Sequence, residues 1–310
     1  MDFLLYVALV TAQLGTAGKQ FAMKHCGRLA PGPFNSVCIN MARSVICLLV
    51  SIIIWLVADG SGTTFFGHVI IILAGIGTAF NLFTWILSSR IVSLTLIECL
   101  FMIGSLVVPL VLAPYLYEGE RVSLIQWIGC ALVFVSVFLF MDTRGNSKHE
   151  GKKFSKIVIL TVATLSITVS SVFRKYYTFH ITAKGLGSIE YFTFINFVTV
   201  LLVFLVLFLV YYSIEKRKLK LCEFKERRRV EFPYKKVWIF ILIAAASLYV
   251  NELFSSYAAQ LPSAIYYPLS KGLTVVCTFL LDVIVFHDKV NLKKLLGVAT
   301  VVLAIVLVNL

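Results

Sequence analysis

The sequence predicts an all-α membrane protein of ten transmembrane helices, arranged as two inverted five-helix repeats. Three observations lead there. The chain has 310 residues, of which 60% are apolar and only 14% charged, with a mean hydropathy of +0.94; soluble domains run near 45–50% apolar and 25% charged. Ten segments are long and apolar enough to cross a bilayer, at about 20 residues each. A short sequence element also recurs 168 residues further on, in the same place relative to the spans.

The spans are read at 3–24, 34–58, 66–89, 91–116 and 123–141, then 156–178, 188–213, 236–258, 262–286 and 291–310. Helices are expected because a spanning backbone must satisfy its own hydrogen bonds, and the ten-residue alternation of a membrane barrel is absent. The connections 59–65, 117–122, 259–261 and 287–290 are too short for a domain, while 142–155 and 214–235 are longer and polar. The first span lacks a basic leader region and a cleavage site, and so reads as a membrane helix rather than a signal peptide.

Net charge is +13, from 28 Lys+Arg against 15 Asp+Glu. In a soluble protein this would point to nucleic acid. Here 21 of the 28 basic residues fall in alternate connections, 4 fall in the others, and Lys19, Arg43 and Lys271 lie within spans. The bias predicts a multi-pass cell-membrane protein with loops 143–155 and 214–235 cytoplasmic and both termini outside. The loop at 214–236 carries ten basic residues against Glu215, Glu223, Glu226 and Glu231, a pattern suited to anionic lipid rather than nucleic acid. The seven cysteines, Cys26, Cys38, Cys47, Cys99, Cys130, Cys222 and Cys277, are odd in number and form no CxxC. They read as small apolar residues, with no disulfide framework or zinc site.

The recurring element is GERVSLIQWIG (119–129), matched by HDKVNLKKLLG (287–297). Arg121 meets Lys289, Val122 meets Val290 and Gly129 meets Gly297. Ser123 meets Asn291, each placed to cap the following helix, and Ser123 with Gln126 forms a capping-box pattern. The chain thus divides into residues 1–142, a basic linker at 143–155, and residues 156–310. Five spans per half force the second half to enter the membrane inverted. That architecture points to a transporter with its site between the halves.

On these residues, together with LPSAIYYPLSKG (261–272), the chain resembles an EamA-type ten-helix member of the drug/metabolite transporter superfamily. The resemblance implies alternating access to a cavity formed by spans 1–4 and 6–9, with spans 5 and 10 peripheral and both termini cytoplasmic, opposite to the charge count. Second-repeat His287-Asp288 replaces Gly-Glu. Lys271 replaces the small or neutral residue of many such members, although the nucleotide-sugar branch uses a lysine in this helix. The first-helix glutamate of the proton-coupled small multidrug relatives has no counterpart here.

Charges inside a bilayer are costly and mark pathways or pairs. Lys271 is about 13 Å into its span at roughly 1.5 Å per residue, after the helix-bending Pro268, so it reads as an anchor for a carboxylate or phosphate. Glu252 reads as a substrate contact or as the partner of Lys271, and Tyr267 lies nearby in sequence. Arg43 and Glu98 enter from one membrane side and read as an ion pair or gate. Asn81 and Trp85, at i and i+4, share a face and complete the expected substrate-binding set. Asn40, Asn196 and Asn251 read as interhelical hydrogen-bonding groups, and Asp282 as water-facing. Pro109, Pro114 and Pro268, with Gly104 and Gly272, are expected bending points.

No P-loop, GxSxG, HExxH or dinucleotide fingerprint occurs, so no enzyme activity, cofactor or metal is expected. The expected function is secondary transport of a small anionic or zwitterionic metabolite, such as an amino acid or phosphorylated compound. A coupling ion is allowed, and the protein is expected as a monomer or homodimer in the lipid bilayer. A lipid-linked sugar flippase and a non-transporting scaffold or sensor are the alternative readings.

Overall fold

The computed structural model describes residues 2–30, 32–58, 61–88, 97, 101, 103–117, 123–140, 153–221, 234–287 and 290–308. Helix dominates them, and no strand occurs among the described residues. In chain order the helices are α1 (Asp2–Leu29), α2 (Pro33–Val57), α3 (Phe65–Ser88), α4 (Val108–Leu116), α5 (Leu124–Phe140), α6 (Lys153–Tyr177), α7 (Ile189–Leu221), α8 (Tyr234–Ala258), α9 (Ser263–Ile284) and α10 (Leu292–Val308). Single π-helical turns precede α4 at Ile103–Val107 and follow α6 at Thr178–Thr182.

Among the described residues, six segments are long and apolar enough to cross a membrane: α2, α3, Val158–Thr182, Ile189–Ile214, Val237–Ala258 and α9. Helices α5 and α10 have 17 residues each, at the lower edge of spanning length. The less apolar α1 carries Gln13, Thr16, Lys19 and Gln20 along its length; three of these four face the cavity described below.

The distribution of side chains reverses that of a water-soluble protein. Phe65 is 87% exposed, Ile239 62%, Leu56 62% and Leu209 56%, while Gln20, Asn40, Ser44 and Ser263 are fully buried. An apolar exterior around a polar interior is stable in hydrocarbon and would aggregate in water. Exposed Tyr115, Trp127 and Trp238 stand near helix ends and Tyr212 near the end of the apolar segment Ile189–Ile214, where amphipathic rings favour the lipid–water interface.

Four pairings organise the bundle: α1 along α8, α3 along α6, α2 against α7 and α5 against α10. The first two are close crossings. A Cβ on Gly15 would stand 2.8 Å from the Ser247 carbonyl and 2.9 Å from the Asn251 nitrogen; one on Gly77 would stand 2.8 Å from the Ser166 carbonyl and 2.9 Å from the Ser170 nitrogen. Small residues permit this backbone approach, and packing at this range holds helices together without a hydrophobic driving force. Hydrogen bonds seal both crossings. Asn251 Nδ2 donates to the Ala12 carbonyl (3.0 Å) and Thr16 Oγ1 (2.6 Å), and Thr78 and Ser170 bond at 2.8 Å.

The expected caps are present. Ser123 N donates to Gln126 Oε1 (2.8 Å) and Gln126 N to Ser123 Oγ (3.3 Å), and Lys294 N donates to Asn291 Oδ1 (2.9 Å). His287, aligned in the recurring element with Gly119, has a left-handed φ of +54°, a conformation that suits glycine far better than histidine. The π turn at Ile103–Val107 contains Gly104 and stands just before Pro109, where the sequence places a bend. Pro109 lacks an N–H, which interrupts the α-helical ladder at that turn.

The seventh span lies at Ile189–Ile214, as expected, and its helix runs on to Leu221, because the polar EKRKLKL stretch still favours helix. One expectation is corrected. Arg174 and Lys175, two of the four basic residues assigned to the minority connections, lie in α6, with Lys175 only 1% exposed.

Candidate functional site

A polar interior cavity of about 70 Å³ lies between α1, α3, α6, α8 and α9, with Phe101 also on its wall. At roughly 10–15 Å³ per water position it has room for about five to seven waters. Each helix brings polar side chains to it. From α1 come Gln13, Thr16 and Lys19; from α3 Thr78, Asn81 and Trp85; from α6 Ser170, Ser171 and Arg174; from α8 Asn251, Glu252 and Ser255; from α9 Tyr266, Tyr267, Ser270, Lys271 and Thr274.

Five of the seven residues expected to bind substrate therefore share one wall: Asn81, Trp85, Glu252, Tyr267 and Lys271. Arg43 stands apart. It is 1% exposed and not among the cavity-lining residues, and its guanidinium donates to Asn40 Oδ1 within α2. Glu98, its expected partner, lies outside the described residues.

Glu252 is paired with Arg174 of α6, a partner the sequence did not suggest. An arginine suits this place because its guanidinium is always charged and offers five donors in a fixed plane. Arg174 Nη2 serves Glu252, while Arg174 Nε has no hydrogen-bond partner. Tyr266 also stands beside Arg174. Sequence reading missed Arg174 because it lies four residues from the end of an apolar run, where a basic residue ordinarily marks the interface; α6 instead continues through a π turn to Thr182.

Around the cavity, Gln13 bridges to α9. Its Nε2 donates to Ser270 Oγ at 2.8 Å, and its Oε1 accepts from Thr274 Oγ1. Tyr267 is fully buried, and its hydroxyl donates to the Ser171 carbonyl at 3.4 Å.

Beyond the cavity along α1, Lys24 is held 3.0 Å from Asp282 of α9 and 3.8 Å from the centre of the Phe286 ring. Asp282 is 3% exposed, so it does not face water as the sequence led one to expect; the Lys24 ammonium takes the place of solvent. His25 stacks on Phe240 at 4.8 Å and Phe21 meets His25 edge-on. Beyond the other end of the cavity, Lys175 donates to the Ala259 and Leu261 carbonyls at 2.9 and 2.5 Å and stands 5.6 Å from the Tyr117 ring centre.

Among the described residues no group of His, Cys, Asp and Glu is arranged to hold a metal ion. No family model matches the chain, and no curated protein matches it. A solved crystal structure of a protein superposes with a TM-score of 0.61 at 15% identity, over 98% of this chain and 95% of its own. The two chains share a fold along nearly their whole lengths, and at that identity the likeness bears on the fold alone.

Proposed function

We propose that the chain is a secondary active transporter that moves a small anionic or zwitterionic metabolite through the cavity by alternating access. One observation carries this reading: a polar, charged cavity enclosed by five helices inside a bundle whose outer surface is apolar. Buried polar walls are expensive in a membrane and are retained where solutes pass.

The pairing pattern supports two inverted five-helix halves within a ten-span bundle. Counting five helices onward turns the α1–α8 crossing into α6–α3, and returns α2–α7 and α5–α10 to themselves. These are the pairings of the bundle, and such symmetry suits rocking of one half against the other. The His287 backbone supports the same repeat, since its left-handed φ occupies the place of Gly119.

The two buried lysines fit the scheme. Lys24 and Lys175 each stand near the end of the first helix of their half, beside an aromatic ring that follows the fourth helix of the other half. They act as the closing contacts at the two ends of the cavity, one ionic and one to backbone carbonyls. Substrate entry from either face requires one contact to part while the other holds. The resemblance to EamA-type transporters agrees with this reading.

Uptake by proteoliposomes across a metabolite panel tests it. Transport that is lost in Lys271→Ala and retained in Lys184→Ala, at an exposed position outside the cavity, is the expected result. Absence of transport for every class in the panel would contradict it.

A further inference from the structure

We infer that the outer side of α7 binds an anionic phospholipid, with an acyl chain in an apolar groove and the headgroup phosphate on a basic stripe beyond it. The site lies away from the cavity, and it holds whether or not the chain transports a solute.

Helix α7 has two unlike sides. Phe197, Val200 and Phe204 are buried in a cluster with residues of α2 and α3, the helices on which α7 packs. Leu202, Leu205, Val206, Leu209 and Val210 are exposed, and their spacing of three and four residues aligns them on the other side. That row ends in a shallow groove lined by Leu209, Val210, Ser213 and Ile214. The hydroxyl in the groove is already engaged, since Ser213 Oγ donates to the Leu209 carbonyl at 2.8 Å. Such a surface suits a hydrocarbon chain and offers little to a polar solute.

The apolar segment ends at Ile214, but the helix runs on to Leu221. Residues 215–221, at about 1.5 Å each, carry it roughly 10 Å further. That crosses the headgroup region, which adds roughly 5–7 Å on each side of the hydrocarbon. Continuing the same spacing from Ser213 leads to Lys216 and Arg217, and from these to Lys220. Glu215, the acid of this stretch, falls on the opposite side by register. The outer row therefore turns from apolar to basic within one turn, just past the exposed Tyr212 and at the depth of lipid phosphates. Lys216 is exposed there. Charge then selects the lipid. Residues 214–236 hold ten basic residues against four acidic, which favours a net anionic headgroup over zwitterionic phosphatidylcholine. A free phosphate or a nucleic acid would use the cations and leave the groove bare; a phospholipid uses both.

The test is native mass spectrometry of the purified full chain in detergent, titrated with phosphatidylglycerol and with phosphatidylcholine of the same chain length. Phosphatidylglycerol is expected to bind about tenfold more tightly or better. Arg217→Gln and Lys220→Gln should each weaken it about fivefold, the scale of one basic residue at an anionic surface. Lys293→Gln, at an exposed position in α10, should leave it unchanged. Ser213→Trp, which fills the groove without changing charge, should also weaken it. Gel filtration identifies the folded variants, and Ser213→Trp, at an exposed position, serves if the charge variants unfold. Equal binding of the two lipids, equal loss in Lys293→Gln and Arg217→Gln, or full binding by Ser213→Trp would overturn the inference. So would displacement of the lipid by an equal concentration of glycerol 3-phosphate, or tighter binding of a single-stranded oligonucleotide than of phosphatidylglycerol.

Discussion

Lys24 of α1 and Asp282 of α9 form an ion pair of 3.0 Å with both side chains less than 10% exposed. They are 258 residues apart in sequence, and in the two-repeat reading they belong to opposite halves. Removing one partner of a buried pair typically costs about 3–5 kcal/mol, because the other charge stays buried. Asp282→Asn is therefore expected to lower the melting temperature in detergent, whereas the apolar double replacement Lys24→Met with Asp282→Leu should recover most of the loss. The double variant should still fail to transport, because a permanently apolar contact does not part as an ion pair does. Thermal unfolding and proteoliposome uptake, measured on the same preparations, check both halves of this expectation.

Arg174 is expected to matter more for transport than its position near a helix end implies. Arg174→Ala leaves Glu252 buried without its ion-pair partner and should reduce uptake by a factor of ten or more, at about 1.4 kcal/mol per tenfold. Arg174→Ala with Glu252→Ala should be more stable than Arg174→Ala alone, because no buried carboxylate remains. A double-mutant cycle on melting temperature measures the coupling.

His287→Gly should raise stability. A non-glycine residue in the left-handed region carries a penalty of about 1–2 kcal/mol, which glycine avoids, less the entropy it adds to the unfolded chain. The net expected gain is a small rise in melting temperature with transport unchanged. His287→Val, with a branched side chain at the same φ of +54°, should lower it.

The crossings at Gly15 and Gly77 should tolerate alanine poorly and leucine not at all, because the atoms a Cβ would meet include backbone atoms at 2.8 and 2.9 Å. Gly15→Leu should separate α1 from α8 and break the Asn251 bonds to Ala12 and Thr16. Loss of the monodisperse gel-filtration peak checks this. Gly62, with open space around its position, is the matched control.

Much of this architecture was legible in the sequence, and the reasons differ by element. Apolar runs bounded by charge reveal spans because the bilayer fixes their length; Ser123, Gln126 and Asn291 reveal caps because capping is local. Five wall residues were found because an ionisable or polar group deep in an apolar run has few places to go. Arg174 and Asp282 escaped because their partners, Glu252 and Lys24, lie 78 and 258 residues away. A charge near a span end looks the same in sequence whether it faces water or another charge. The seventh helix ran long for a related reason: hydropathy ends at the membrane, but helix propensity does not.

Alternating access requires the cavity to open to each side of the membrane in turn. Ser270→Cys on a background lacking the seven native cysteines, labelled with a membrane-impermeant maleimide from one face and then the other, reads this out. Labelling is expected from both faces, with access from one face lost when a cross-link fixes α1 to α9 at Lys24 and Asp282, and access from the opposite face retained. Labelling from neither face, or from both after that cross-link, would contradict it.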